Sequence, residues 1–239
     1  SATQVTAEAL AAGTDLIVPL AVGEPVGLLD AVESAADRLE GVRVHQMHAL
    51  IDRAYLDGRH GSRLRHVSYF LSPVTRQHFH DGGIDFVPAH FSEVPLLLRH
   101  NCQRPLILAA ASPPDRHGYF SLGTNADYVA SLIGRVPFFL EATPHMPRTR
   151  GANVIHHSQV VGWCESDRPL VEIPRATPTA RDRVIAAHVA ERIPHGATIQ
   201  VGIGGIAAAV LEALGDHRGL GVHTELLHDG MVDLVESGV

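Results

Sequence analysis

The sequence predicts an α/β fold, an open and mostly parallel sheet flanked by helices. Three observations carry that expectation. Short apolar runs of strand length alternate with stretches of helical periodicity along most of the chain. The alternation repeats without any repeat of the sequence itself. Apolar residues make up 45% of the 239 residues and charged residues 19%, which supplies a sizeable core and excludes a disordered or coiled-coil chain.

The elements follow in order. Residues 16–22 form a β-like run ending at Gly23, and residues 25–39 have helical spacing through Leu28, Leu29, Val32, Ala35 and Leu39. Further strands are expected at 42–48, 67–71, 85–88, 106–111, 136–142 and 154–161. Helices are expected at 74–81, 92–100 and 126–133. Between Arg168 and Pro178 three prolines interrupt any ladder or helix, so a domain boundary is expected near Pro174. Residues 1–174 would then form one α/β domain and residues 175–239 the beginning of a second.

In that second part Thr179 can cap a helix reaching Ile193, with Val184, Ile185, His188 and Val189 on its apolar face. A βαβ unit follows: strand 198–201, a glycine loop at 202–205, helix 206–214 and strand 221–225. Only 14 residues remain after Glu225, too few to cover both faces of a sheet. Val201, Ile203, Val210 and Leu211 are therefore expected to lack an opposite layer. Either the unit docks elsewhere or the chain is a fragment.

Composition narrows the function. The formal charge is −7 with scattered basic residues, which argues against a nucleic-acid or anionic-membrane surface. Two cysteines, Cys102 and Cys164, read as reduced thiols in a cytoplasmic protein. No apolar run approaches a membrane span, and residues 1–20 have no leader pattern. The pairs His45/His48, His78/His80 and His156/His157 lack accompanying ligands at zinc-site spacing, so no metal is expected.

Two clusters could carry chemistry. Gly202-Ile203-Gly204-Gly205 lies between a strand and a helix, where free amides and the helix dipole favour negative charge. His223-Thr224-Glu225-Leu226-Leu227-His228-Asp229 lies at the end of the next strand, where α/β sheets place ligands. A carboxylate there could act as a nucleophile if amides held the resulting oxyanion. The same residues satisfy G-x-G-x-x-A through Gly202, Gly204 and Ala207, with Glu225 about 20 residues on, so a dinucleotide site is a rival reading. A third is a tight turn that needs glycine only for sterics. Two long loops, 112–123 and 146–149, and the segment 91–95 also invite a functional reading.

Taken together, Gly23-Glu24-Pro25, Phe91-Ser92-Glu93-Val94-Pro95, Ser112-Pro113-Pro114-Asp115-Arg116-His117-Gly118-Tyr119-Phe120-Ser121, Met146-Pro147-Arg148-Thr149, the glycine loop and Gly221-Val222-His223-Thr224-Glu225-Leu226-Leu227-His228-Asp229-Gly230 resemble the acetyl-CoA hydrolase/transferase family. That family includes 4-hydroxybutyrate, butyryl and succinyl CoA-transferases. The resemblance implies two sugar-phosphate isomerase-like α/β domains with the active site between them. It aligns Glu225 with the glutamate that becomes linked to coenzyme A, and Ile203 with the amide that holds the thioester oxygen. Gly202, Gly204 and Gly205 would shape the coenzyme A side of the site. Acyl-CoA and small carboxylates are the implied substrates, with no permanently bound cofactor. Hydrolysis of acyl-CoA is the alternative within the same chemistry, and a non-catalytic half or subunit is the alternative outside it. Family members are nearly twice as long, so a missing C-terminal half or second subunit is expected as partner, together with a homo-oligomer. Ala207-Ala208 and Thr143 depart from common family residues, which bears on acyl specificity.

Overall fold

Runs such as Pro105–Ala111, apolar on both faces, can be stable only where helices cover the sheet on both sides. The computed structural model, which describes residues 10–239, shows that arrangement. Residues 1–9, which open the expected first domain and the stretch read as carrying no leader, lie outside the described residues. The chain divides into two compact units, one ending at Glu172 and one beginning at Ile173.

The first unit is built on seven parallel strands: β1 (Asp15–Ile17), β2 (Val42–Gln46), β3 (Leu64–Ser68), β4 (Asp85–Phe86), β5 (Pro105–Ala111), β7 (Phe138–Ala142) and β9 (Val160–Glu165). They lie in the order β4-β3-β2-β1-β5-β7-β9. The chain runs outward from β1 to β4 and then returns to the other side of β1. The order therefore reverses between β1 and β5, and the loops leaving those strands diverge there. A small antiparallel pair, β6 (Tyr119–Ser121) with β8 (Val154–His156), stands apart from the sheet.

Successive strand residues point to opposite faces, which produces two cores. Ile17, Ile107, Ala109, Phe138 and Leu140 pack in one, with Leu98 of the helix α3 (Val94–Asn101). Leu16, Val44, Leu64, Leu108 and Phe139 pack in the other, with Leu28, Leu29 and Val32 of α1 (Val26–Ser34). The Leu28 amide at the start of α1 donates to the Glu141 carboxylate of β7 (2.9 Å). Helix α2 (Pro73–His80) begins with Ser72 accepting from the Thr75 amide, and Pro73 occupies its first turn.

Several elements differ from the sequence expectation, each for a local reason. The run 16–22 is strand only over β1, because Ala21 takes a positive φ and donates its amide to the His48 carbonyl (2.8 Å). Residues 126–133 hold one 3-10 turn, Ala130–Leu132, rather than a helix. There the Asp127 carboxylate accepts from the amides of Val129 and Leu20, and the Tyr128 hydroxyl donates to the Val18 carbonyl. Those bonds tie the segment to the β1 loop instead of to a helical turn. The expected single strand 154–161 is broken into β8 and β9 by a 3-10 turn, His157–Gln159, in which His156 accepts from the Ser158 amide.

The second unit holds α4 (Ala180–Ala190), β10 (Thr198–Ile199), α5 (Gly205–Ala213), β11 (Gly221–Val222) and α6 (Asp229–Ser237). Thr179 and Asp182 form a reciprocal capping box at the start of α4. The expected apolar face of α4 is wrong: Val184, Ile185 and Val189 are exposed, whereas Ala186 is buried and Ala190 joins the core. Small residues permit a close approach of α4 to α5, and that approach decides which stripe is covered. Val201 and Leu211, expected to lack a partner layer, are buried in a core with Leu214, Met231 and Leu234. The layer that covers them includes α6, which the sequence reading did not anticipate.

One core feature makes stability pH-dependent. His66 on β3 is fully buried, stacks on Tyr55, and among the described residues has no partner for either ring nitrogen. Burial, aided by the nearby His45 and His78, holds its ring at about 3 against an ordinary 6.5. Above pH 6.5 neither folded nor unfolded chain protonates it, so stability is unaffected. As pH falls from 6.5 towards 3 the unfolded chain gains a proton the folded chain refuses, costing about 1.4 kcal/mol per pH unit. His66→Leu is expected to lose less stability between pH 7 and pH 4.5 than the parent, by about 2 kcal/mol in urea unfolding. Equal losses in the two proteins would show that His66 does not carry the effect.

Candidate active site

In the second unit β10 and β11 run parallel, with Thr198 opposite Gly221 and Ile199 opposite Val222. The ladder continues through the Gly221 amide to the Ala197 carbonyl (2.9 Å) and the His223 amide to the Ile199 carbonyl (3.0 Å). A side chain then takes over. The Val201 amide donates to Thr224 Oγ1 (3.3 Å), and the Thr224 hydroxyl donates to the Val201 carbonyl (3.1 Å). Gly202 follows Val201 and Glu225 follows Thr224, so the glycine loop and the carboxylate leave the same end of neighbouring strands.

The loop opens helix α5 with free donors. Among the described residues, no amide from 202 to 207 donates to a protein acceptor, and the first bonded amide is Ala208, to the Gly204 carbonyl (3.0 Å). Gly204 is the N-cap and offers no side chain. Its φ of +108° with ψ of 178° lies in a region that is essentially glycine-only. Gly205 has a different reason to be glycine: a Cβ there would sit 2.8 Å from Asp182 Oδ2. Gly202 has neither constraint, since a Cβ would meet nothing within 4 Å and its φ is ordinary.

Glu225 is exposed beside that loop, in an irregular turn between β11 and α6. His228 closes the turn by accepting the Gly230 amide (3.2 Å) as the cap of α6. Apolar side chains of these elements are exposed, Ile203 to 72% and Leu227 to 83%, with Ile206, Val222 and Leu226, close in sequence to the exposed His223 and Asp229. A carboxylate leaving the same strand ends as unpaired amides can attack an electrophile and have the oxyanion held by the amides.

The loops singled out in the first unit form one polar scaffold beyond β5 and β7. Arg148 donates to Ser112 Oγ (2.8 Å) and to the carbonyls of Pro113 (2.8 Å) and Tyr119 (3.1 Å). Thr149 Oγ1 donates to the Gly123 carbonyl (2.6 Å), and Ser121 Oγ accepts from the amides of Gly123 and Thr149. These bonds engage Arg148, Thr149 and the Ser121 hydroxyl, while Arg116, His117 and Arg150 of the same loops stay exposed. Segment 91–95 instead forms a 3-10 turn, Phe91–Glu93, leading into α3.

At the β1/β5 reversal the structure adds a feature that sequence reading missed. Ala21 has a φ of +50°, the one positive value among the described non-glycine residues. The conformation is enforced by its amide bond to His48 and by Asn125, whose amide donates to the Leu20 carbonyl (3.0 Å) and to Asp127 (2.9 Å). Gly23 is required beside it, because a Cβ would overlap the Asn125 side chain at 2.4 Å. Strain held at a strand end where loops diverge is a mark of a binding region. Asn125-Ala126-Asp127 after Gly123 was the available signal.

One group among the described residues has metal-like spacing: Asp15, His45 and Cys102, all buried. Its chemistry is that of a hydrogen-bond hub. Burial works to raise the Asp15 carboxyl, but His45, the Arg104 amide, Arg43 and the Gln103 amide outweigh it and hold it at about 2. The Cys102 thiol is pushed up to about 12 by burial and by Asp15. A carboxylate already paired with Arg43 (2.7 Å) beside a protonated thiol is a poor cation site.

Comparison with known proteins follows the same lines. The acetyl-CoA hydrolase/transferase N-terminal domain matches residues 4–185. A succinyl-CoA:cyclohexane-1-carboxylate CoA transferase of Geobacter metallireducens is 36% identical over 229 residues, 95% of this chain and 52% of the relative. A 4-hydroxybutyrate coenzyme A transferase of Clostridium kluyveri is 34% identical over 221 residues, 92% of this chain and 52% of the relative. Among solved structures, RipA from Yersinia pestis superposes with a TM-score of 0.93 at 30% identity, covering 100% of this chain and 58% of that one. The chain spans about half the length of the curated relatives it matches. No helix among the described residues is long and apolar enough to cross a membrane.

Proposed function

Because the chain belongs to the acetyl-CoA hydrolase/transferase family, we propose that it carries the nucleophile half of a CoA-transferase, moving coenzyme A from an acyl-CoA to a small carboxylate. The observation that carries the reading is the joint exit of Glu225 and the glycine loop from the ends of β10 and β11, tied by Thr224. Glu225 attacks the thioester carbonyl, the thioester C–S bond breaks, and an acyl-glutamyl anhydride and a coenzyme A thiolate form. The thiolate attacks the glutamyl carbonyl and releases the acyl group as a carboxylate, leaving a glutamyl-CoA thioester. An acceptor carboxylate reverses the sequence. Each addition passes through an oxyanion that the Ile203 amide would hold, with Gly202, Gly204 and Gly205 shaping the loop around it.

The relatives are named CoA transferases, which favours this reading over a dinucleotide site on the same loop. Coenzyme A is then a substrate and not a resident cofactor. The exposed Ile203, Leu226 and Leu227 fit coverage by a further part of the same protein, a second subunit or another copy. The match to the family's N-terminal domain runs to residue 185, past the first unit, which ends at Glu172, and into α4 of the second; the rest of the second unit would open the next domain.

Transfer and hydrolysis differ only in what resolves the glutamyl thioester. In a steady-state assay of the full-length gene product with acetyl-CoA or butyryl-CoA, coenzyme A exchange is expected to require an added carboxylate other than the donor's own acid, such as propanoate. Release of free coenzyme A at the same rate without any acceptor would make the enzyme a hydrolase. No turnover of either thioester, together with saturable NADH binding, would return the site to the dinucleotide reading.

A further inference from the structure

We propose that Thr224 is the positioning residue of this site, holding the glutamate and the glycine loop in register through its hydroxyl; the inference rests on the reading of Glu225 as nucleophile. The ladder between β10 and β11 shows why a side chain is needed. Its pattern, Gly221 amide to Ala197 carbonyl and then His223 amide to Ile199 carbonyl, would next have the Glu225 amide donate to the Val201 carbonyl. It would also have the Val201 amide donate to the His223 carbonyl. Neither backbone bond forms. The Thr224 hydroxyl stands in for both, accepting from the Val201 amide (3.3 Å) and donating to the Val201 carbonyl (3.1 Å).

The substitution has a specific consequence. A backbone ladder carried one step further would bind Glu225 into β11 as a strand residue, its amide spent on Val201. With the hydroxyl in that place, Glu225 leaves the sheet while the residue before it stays fastened to the residue before Gly202. The carboxylate is released from the ladder without losing its position relative to the loop amides. Threonine suits the task better than serine because its β-branch restricts χ1 and keeps the hydroxyl aimed at the neighbouring strand. Valine has the same shape and no hydroxyl, so it would leave the Val201 amide and carbonyl to water and let the two strand ends separate. Nucleophile and oxyanion donor must keep a fixed spacing, and a displacement of about 1 Å can cost about 100-fold in rate.

The test uses the full-length gene product and its Thr224→Val and Thr224→Ser variants, with melting temperature as the control for folding. Butyryl-CoA and acetate give kcat and KM, and intact mass follows the coenzyme A adduct on Glu225. Thr224→Val is expected to lose about 10- to 100-fold in kcat and in the rate of adduct formation, with KM within about threefold of the parent. Thr224→Ser is expected to stay within about threefold on both. A Thr224→Val protein as fast as the parent overturns the positioning role, and so does a folded Thr224→Ser protein that loses more than tenfold. If Thr224→Val does not fold, Thr224→Ala serves as the variant without a hydroxyl, and the serine variant still decides. Absence of any adduct on the parent protein overturns the nucleophile reading itself, a result distinct from equal adduct rates in parent and variant.

Discussion

Glu225→Ala is expected to abolish the coenzyme A adduct and to lower transferase turnover by about 10⁴-fold or more, the scale seen when a covalent nucleophile is removed. That factor corresponds to about 5 kcal/mol of barrier, far beyond what an exposed glutamate contributes to stability. The fold should be unaffected. Glu225 is exposed, lies outside any strand or helix, and makes no ion pair among the described residues. Activity and melting temperature should therefore separate cleanly: activity lost, melting temperature within a degree or two of the parent. Intact mass after incubation with butyryl-CoA is the direct measurement. An adduct of undiminished size in Glu225→Ala would place the nucleophile elsewhere. Glu225→Asp adds a geometric check, since it keeps the carboxylate and withdraws it by one methylene; a loss of about 10²-fold or more would show that reach matters as well as charge.

The position of this glutamate was legible because glycine punctuates the chain around it. Gly202 to Gly205 mark the strand-to-helix turn and Gly221 opens the next strand, so counting brings the carboxylate near a strand end. The strands β10 and β11 nevertheless stop at Ile199 and Val222, short of the expected 201 and 225, and leave Glu225 in the turn beyond. The clamp was not legible. A threonine next to an apolar strand reads as a β-former, and nothing in its spacing says that its hydroxyl replaces two backbone partners. The covered face of α4 was hidden for another reason. The helix carries two candidate stripes, a bulky one with Val184, Ile185 and Val189 and a small one with Ala186 and Ala190; the tight approach to α5 selects the small one. Bulk alone argued for the other. In the first unit β5 announced itself by being apolar throughout, whereas β6 lies inside a proline-rich turn segment and has only three residues. Ala21 shows the limit most plainly, because an alanine gives no sign in sequence that its neighbours force it to a positive φ.

Gly204→Ala is expected to lose about 100-fold or more in kcat, whereas Gly202→Ala should leave the fold and the loop in place. The two glycines lie two residues apart and differ in what the backbone demands. At Gly204 the φ of +108° with ψ of 178° excludes a side chain by conformation, not by crowding, since a Cβ there would meet nothing within 4 Å. Forcing alanine into such a conformation costs about 1 to 3 kcal/mol, and the loop can escape that cost only by rotating the peptides on either side. One of those peptides joins Ile203 to Gly204 and carries the Gly204 N–H. Its rotation would shift Ile203 and, through it, the Ile203 amide on the preceding peptide, and loss of one such donor costs about 10² to 10³ in kcat. At Gly202 the φ is ordinary and the space is open, so alanine changes stability by no more than about 0.5 kcal/mol. Any effect there should come from a methyl group facing substrate and should fall on KM. Gly204→Ala turning over at the parental rate would remove the loop amides from the mechanism, leaving Glu225 to find its oxyanion donor elsewhere.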